Sequence, residues 1–150
     1  MDQQLVVFRV SDDLYGLGLD MVSEIVIADI IRSEPELPED VEGMIRIHDE
    51  DIPVVDFRKK IGIYTKRHSD ENWVLILNVQ GKELGILVDG IEEMCQAGHC
   101  DVRPVQSLLH TCKTKLIKGF GHLHGRKFCL VCGEKFLDSC TLEKTAVASA

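Results

Sequence analysis

An all-β barrel or sandwich is the fold class this sequence predicts, and three observations predict it. Short runs of β-branched, aromatic and leucine residues recur along most of the chain, turn-forming clusters separate them at regular spacing, and helical periodicity is confined to one short stretch. A chain of 150 residues buries one good core, or two small ones that share a wall, so one compact unit is expected.

Leu5-Val6-Val7-Phe8-Arg9-Val10 is β-branched and aromatic, and the turn cluster Ser11-Asp12-Asp13 leads into Leu14-Tyr15-Gly16-Leu17-Gly18-Leu19, which predicts a hairpin. In its second strand Leu14, Gly16 and Gly18 alternate with Tyr15, Leu17 and Leu19, so one face is bulky and the other nearly bare. The bare face requires a neighbour that packs closely on it. Val22, Ile25, Val26 and Ile27 continue a β-branched run through Ser23 and Glu24, and Pro35 and Pro38 then break any regular element, leaving a loop over 32–41. Strands are predicted over 44–47 and 52–57, joined by His48-Asp49-Glu50-Asp51. Pro53 lacks an N–H, which favours an edge strand or a bulge for the second of them.

Residues 64–72 carry a single apolar side chain and are read as the boundary between two halves. The second half starts again with strands. Residues 73–79, the turn 80–83 and residues 84–89 form a hairpin with the apolar, turn, Gly-spaced design of residues 5–19, an internal echo that suggests a duplicated unit. A third hairpin joins 116–123 to 128–132 through His124-Gly125-Arg126, and a short amphipathic helix follows at 134–140. Residues 141–150 are expected to be a flexible tail, small and uncharged from 146 onward.

The net charge of −8 is uneven: residues 1–72 hold 17 Asp and Glu against 8 Lys and Arg, while residues 73–150 hold 8 against 9. A phosphate backbone is bound by clustered cations, and the one modest basic group, Arg58-Lys59-Lys60 with Lys66-Arg67, sits inside the acidic half. Nucleic acid and anionic membrane are therefore poor partners. Charges at Asp2, Arg9, Asp12, Asp13 and Asp20 interrupt any export signal, and no apolar run reaches the ~18 residues that spanning needs. A soluble cytoplasmic protein with reduced thiols is expected.

Catalytic chemistry has little support in these residues. There is no Gly-x-Ser-x-Gly, phosphate loop or His-Glu-x-x-His, and the adjacent carboxylates Asp49, Glu50 and Asp51 read as a solvent-facing acidic turn. All six cysteines follow residue 94, with His99, His110, His122 and His124 among them. Cys129-x-x-Cys132 has metal-knuckle spacing, yet it lies in a strand, where residues three apart face opposite ways. Buried, inert thiols are preferred over a thiol- or metal-responsive site, and no cofactor or metal is assigned.

The blocks Phe8-Arg9, Tyr15-Gly16, Val22-Ser23-Glu24-Ile25, Pro38, Val41-Glu42-Gly43, Ile52-Pro53-Val54-Val55-Asp56-Phe57-Arg58, Gly85-Ile86-Leu87-Val88-Asp89-Gly90-Ile91, Arg103-Pro104 and Gly119-Phe120-Gly121 fall in an order and spacing that resembles the CheW-like chemotaxis coupling proteins. The match covers about residues 4–138. The resemblance implies an all-β domain over 1–140, made of two small five-stranded β-barrels (SH3-like) packed on a shared core, with short helices. It implies a non-catalytic adaptor linking chemoreceptor cytoplasmic tips to the regulatory domain of the histidine kinase CheA. A length of 150 residues leaves no room for the kinase or receiver domains that accompany this module in some relatives. A module redirected to another signalling pathway is the alternative.

By the same resemblance Val22, with Glu24 beside it, lies where the family meets receptor helices, and Gly43 with the loop 46–51 forms the other interaction surface. There the usual Asn-Leu-Arg-Gly is replaced by Arg46-Ile47-His48-Asp49. An always-charged fork becomes an imidazole, charged only when protonated, and the turn glycine becomes Asp49. Arg46, two residues before His48 on the same side of a strand, offers a compensating cation. Arg58 completes the expected contact set.

Overall fold

Tight reversals at Ser11-Asp12, His48-Asp49, Gln80-Gly81 and His124-Gly125 fold the apolar runs into four hairpins. At the last three, both central residues have positive φ (50° and 68°, 53° and 81°, 50° and 80°), the conformation whose twist matches that of paired strands. Only Ser11 is left-handed in the first. Its N–H is pinned by the buried carboxylate of Asp89, 2.6 Å away. The computed structural model describes residues 3–63, 70–104 and 116–140.

In chain order the strands are β1 (Gln4–Val10), β2 (Asp13–Gly18), β3 (Val22–Ala28), β4 (Gly43–Ile47), β5 (Glu50–Asp56), β6 (Asn72–Val79), β7 (Lys82–Val88), β8 (Gly90–Gln96), β9 (Arg103–Pro104), β10 (Ile117–Leu123) and β11 (Arg126–Val131). Helix α1 (Phe57–Ile61) follows β5, and α2 (Gly133–Ser139) follows β11. The strands form a six-stranded sheet, β8-β1-β2-β11-β10-β9, and a five-stranded sheet, β3-β6-β7-β5-β4. The resemblance implied five strands in each, and the extra strand is the two-residue β9. Pro53 lies in β5, which has a neighbour on each side rather than an open edge. The β7 ladder begins one residue beyond the proline, at Val54.

The echo between the two halves of the sequence is an exchange. Hairpin β1–β2 sits in the six-stranded sheet while β3, β4 and β5 go to the other. Hairpin β6–β7 sits in the five-stranded sheet while β8 to β11 go to the first. The joins match: β2 runs parallel to β11 with Gly16 opposite Leu130, and β7 runs parallel to β5 with Gly85 opposite Val54. The segment expected as a boundary, 64–72, runs into β6 at Asn72, and the strands on either side of it, β5 and β6, belong to one sheet. Most of the segment, like the 141–150 tail, lies outside the described residues.

Each sheet curls, and a connecting segment bridges its open side. After β3 the chain crosses to the far edge, where Arg32 and Met44 exchange backbone hydrogen bonds of 2.9 and 2.8 Å. After β8 a short 3-10 turn (Ala97–His99) carries the chain across to β10, where the Cys100 carbonyl accepts from the His122 N–H at 2.7 Å. At both seams the facing strand offers a glycine. A Cβ on Gly43 would lie 2.6 Å from the Arg32 carbonyl oxygen, and one on Gly119 would lie 2.5 Å from that of Arg103.

Period-two alternation sorts side chains into three cores. Leu5, Val7, Leu14, Phe128 and Leu130 fill the six-stranded barrel, and Ile45, Ile52, Val54, Val74 and Ile76 fill the five-stranded one. Their neighbours in sequence, Val6, Phe8, Tyr15, Leu17, Val55, Leu75, Leu77 and Val131, join Phe57 and Phe136 in a core shared by both sheets. The bulky face of β2 enters that shared core. Its bare face is covered by the Phe128 ring, which a Cβ on Gly16 would meet at 3.1 Å.

Candidate functional site

Strands β3 and β4 are the two edges of the five-stranded sheet, and between them runs an open groove of about 530 Å³ lined by Val26, Ile27, Ala28, Ile30, Ile45 and Ile47, with Arg32 and Arg46 on its rim. Ile27 and Ile30 are 46% and 71% exposed, which places two of the three exposed large hydrophobics among the described residues on this groove. Water-facing isoleucines that line a concavity are an unusual use of apolar surface unless something covers them.

The groove is bounded at both ends. At one, the Arg32–Met44 bridge closes the seam, and Arg32 also pairs with Asp51 at 2.7 Å and Glu34 at 3.1 Å. At the other, the His48 ring nitrogen meets the Glu24 carboxylate at 3.0 Å. His48 is the first residue of the β4–β5 turn, and its left-handed backbone swings the side chain off the strand toward β3. The sequence reading put Arg46 and His48 on one side of a strand. The strand instead ends at Ile47, and Arg46 turns to Asp51, 3.5 Å away.

The six-stranded barrel repeats this clasp. His124, first in the β10–β11 turn, meets Glu93 of β8 at 2.9 Å, the counterpart in the exchange of His48 with Glu24 of β3. The sequence places His124 in a hairpin turn and among the candidate metal-ligating histidines, and its pairing with Glu93 is the part that spacing does not show. Both histidines are well exposed, so each pair is worth only ~0.2–1 kcal/mol and its role is positional. Beside the first clasp the Glu83 carboxyl is held above its ordinary value by a hydrogen bond with Glu50, then by slight burial and the charges of Glu50 and Glu24.

The other expected contact residues fall in different places. Val22 is half-buried at the start of β3 and packs on the shared core. Gly43 is buried, and its contribution is the close approach of the Arg32 carbonyl rather than a surface of its own. Asp49 is the exposed second residue of the His48 turn. Arg58 does not join this region. It lies in α1 beyond the opposite end of β5, about 20 Å from the turn at ~3.3 Å per residue, with its side chain only 12% exposed and paired to Asp56 at 3.3 Å.

Asp56 caps α1 by accepting from the Arg58 N–H at 3.0 Å, and Gly62 ends the helix in the left-handed conformation. Lys59 pairs with Glu42, and Lys60 reaches Asp40 at 3.4 Å and the Ser139 carbonyl at 2.6 Å. The basic triplet thus ties α1 to the 39–42 loop and to α2. Cys129 lies in β11 with its thiol pushed up by burial, and Cys132 precedes α2. Among the described residues no three His, Cys, Asp or Glu side chains converge as metal ligands, and no helix is long and apolar enough to cross a membrane.

This arrangement matches known proteins over nearly its whole extent. The model of the CheW-like domain matches residues 4–140. Chemotaxis protein CheW of Klebsiella aerogenes is 26% identical over 137 residues, covering 91% of this chain and 82% of that protein. Chemotaxis protein CheW of Treponema pallidum is 34% identical over 104 residues, covering 67% and 61%. The crystal structure of the scaffolding protein TtCheW from Thermoanaerobacter tengcongensis superposes with a TM-score of 0.76 at 28% identity, covering 88% of this chain and 90% of that one.

Proposed function

Because the chain belongs to the CheW-like family, we propose that it is a non-catalytic scaffold of bacterial chemotaxis, working in the cytoplasm to couple the cytoplasmic tips of chemoreceptors to the regulatory domain of the histidine kinase CheA. The observation that carries this reading is the β3–β4 groove, where exposed Ile27 and Ile30 sit between two open strand edges. An apolar face from a partner helix or barrel gains hydrophobic burial there without any reactive side chain. Glu24, Arg46, His48 and Asp49 on the rim supply charge that selects among partners, and Val22 and Gly43 hold β3 and the seam in place.

The test is kinase autophosphorylation with a receptor fragment, measured with and without this protein. Coupling requires the rate to change when the protein is added, and Ile30→Asp, at an exposed site that leaves the cores intact, weakens capture of the receptor fragment or the kinase regulatory domain about tenfold or more. An unchanged rate with the native chain refutes coupling and favours a CheW-like module serving another pathway.

A further inference from the structure

The geometry points to a reversible disulfide between Cys95 and Cys100 that staples the seam of the six-stranded barrel. Cys95 lies near the end of β8, opposite Leu5 of β1, and the 3-10 turn Ala97–His99 folds the chain back so that the two sulfurs stand 3.0 Å apart. A bond needs roughly 2.0 Å, so the thiols close by a movement of about 1 Å. Both pack against the barrel's own core of Leu5, Val7, Phe128 and Leu130.

The place gives the pair its meaning. Residues 97–102 carry the chain from β8, beside β1, to β9, beside β10. The Ala97 N–H donates to the Gln3 carbonyl on one side at 2.8 Å, and the Cys100 carbonyl accepts from His122 on the other at 2.7 Å. A cross-link from 95 to 100 fixes that crossing. The five-stranded barrel closes instead through the Arg32–Met44 backbone bridge.

The chemistry divides by exposure. Cys95 is partly exposed and meets the oxidant, while Cys100 is 1% exposed and resolves. With hydrogen peroxide as oxidant, the Cys95 thiolate attacks one peroxide oxygen, the O–O bond breaks, hydroxide leaves and takes up a proton, and Cys95 becomes a sulfenic acid. Cys100 sulfur then attacks the sulfenic sulfur, the S–O bond breaks, and water leaves. Two thiols and one peroxide give one disulfide and two waters, and a small-molecule thiol returns the pair to its starting state. Cys129 and Cys140 do not compete equally, since both face the shared core and burial pushes their thiols up, that of Cys140 to about 11.

The test treats the reduced full-length protein with hydrogen peroxide, alkylates it in denaturant, and maps the modified cysteines by mass spectrometry. Cys95 and Cys100 should escape alkylation together and regain it after dithiothreitol. The oxidised protein should melt about 5 °C higher, and amide exchange at His122 should slow. Cys95→Ser should lose all three responses, and Cys100→Ser should accumulate a sulfenic acid at Cys95 that dimedone traps. Cys95 and Cys100 staying alkylatable, Cys95 pairing with Cys112 or with another chain, or a bond that leaves His122 exchange unchanged would each overturn the proposal. Cys95→Ser decides the matter even if the buried Cys100→Ser variant folds poorly.

Discussion

Phe57 is where the two barrels are held to one another. Its fully buried ring lies 5.2 Å from Phe8 and 4.8 Å from Tyr15 in the six-stranded sheet, and stacks at 5.4 Å on Phe136 of α2, while its own backbone continues from β5 of the other sheet. Removing the ring as Phe57→Ala costs about 3–5 kcal/mol, a large part of the ~5–15 kcal/mol that stabilises a domain. The milder Phe57→Leu and Phe136→Leu should each cost about 1–2 kcal/mol, moving the urea midpoint down by about 0.7 M for a slope near 2 kcal/mol/M. The double variant should show a coupling of about 0.5–1.5 kcal/mol, the worth of a buried aromatic pair beyond its area. Unfolding is followed both by far-ultraviolet circular dichroism and by fluorescence of Trp73, the only tryptophan, which packs on the shared core from β6. The two signals should trace a single transition. Additive variants, or a Trp73 transition separated from the dichroism, would refute a core that makes the barrels one cooperative unit.

Asp49 holds a left-handed backbone at φ 68° in the His48-Asp49 turn, a position that glycine occupies without a Cβ penalty, so Asp49→Gly should stabilise the protein by about 0.5 kcal/mol in urea titrations. A loss of stability would show that the Asp49 carboxylate matters more to the fold than its backbone does. Burial, then the charges of Asp13 and Cys129, push the Tyr15 hydroxyl up to about 12. The folded chain therefore holds that proton more tightly than the unfolded chain, and the stabilisation is complete below pH 10 and lost as pH rises through about 12. The loss is on the order of 2–3 kcal/mol, and Tyr15→Phe should flatten it. Superimposable alkaline stability curves for the two proteins would exclude Tyr15 as the source.

Elements whose partners are near in sequence were legible. The four hairpins announce themselves through apolar runs flanking short polar turns, and the Gly-spaced face of β2 correctly demanded a close neighbour, which is Phe128. β8 was not legible: Gly90-Ile91-Glu92-Glu93-Met94-Cys95-Gln96 has neither a β-branched run nor a clean period-two alternation, and it is a strand because β1 supplies a hydrogen-bonding edge. Helix α1 did carry its signal, an Asp cap at one end and a left-handed glycine at the other, but five residues are too few to show a helical period. At the site, Glu24 and His48 were singled out separately, and nothing in their separation of 24 residues said that they touch. Arg58 is an expected contact residue by resemblance, and its position two residues after the Asp56 cap pairs its side chain with that carboxylate and leaves it 12% exposed.

The exchange of strands gives the repeat in the sequence a structural form in which each half contributes strands to both sheets. Each half begins with a hairpin whose second strand, β2 or β7, must find a parallel neighbour, and that neighbour, β11 or β5, comes from the other half. A parallel pair cannot be closed by a tight turn, so the long connection is unavoidable and the reciprocal swap satisfies both halves at once. The edge strands that result, β3 and β4 in one sheet, therefore face each other across a gap spanned by the Arg32–Met44 backbone bridge at one end and the His48–Glu24 pair at the other, and apolar residues of that gap stay open. The groove is a product of the topology. A chain divided at 64–69 would leave β6–β7 without β5 and β1–β2 without β11, and with them would go the edges that shape the groove.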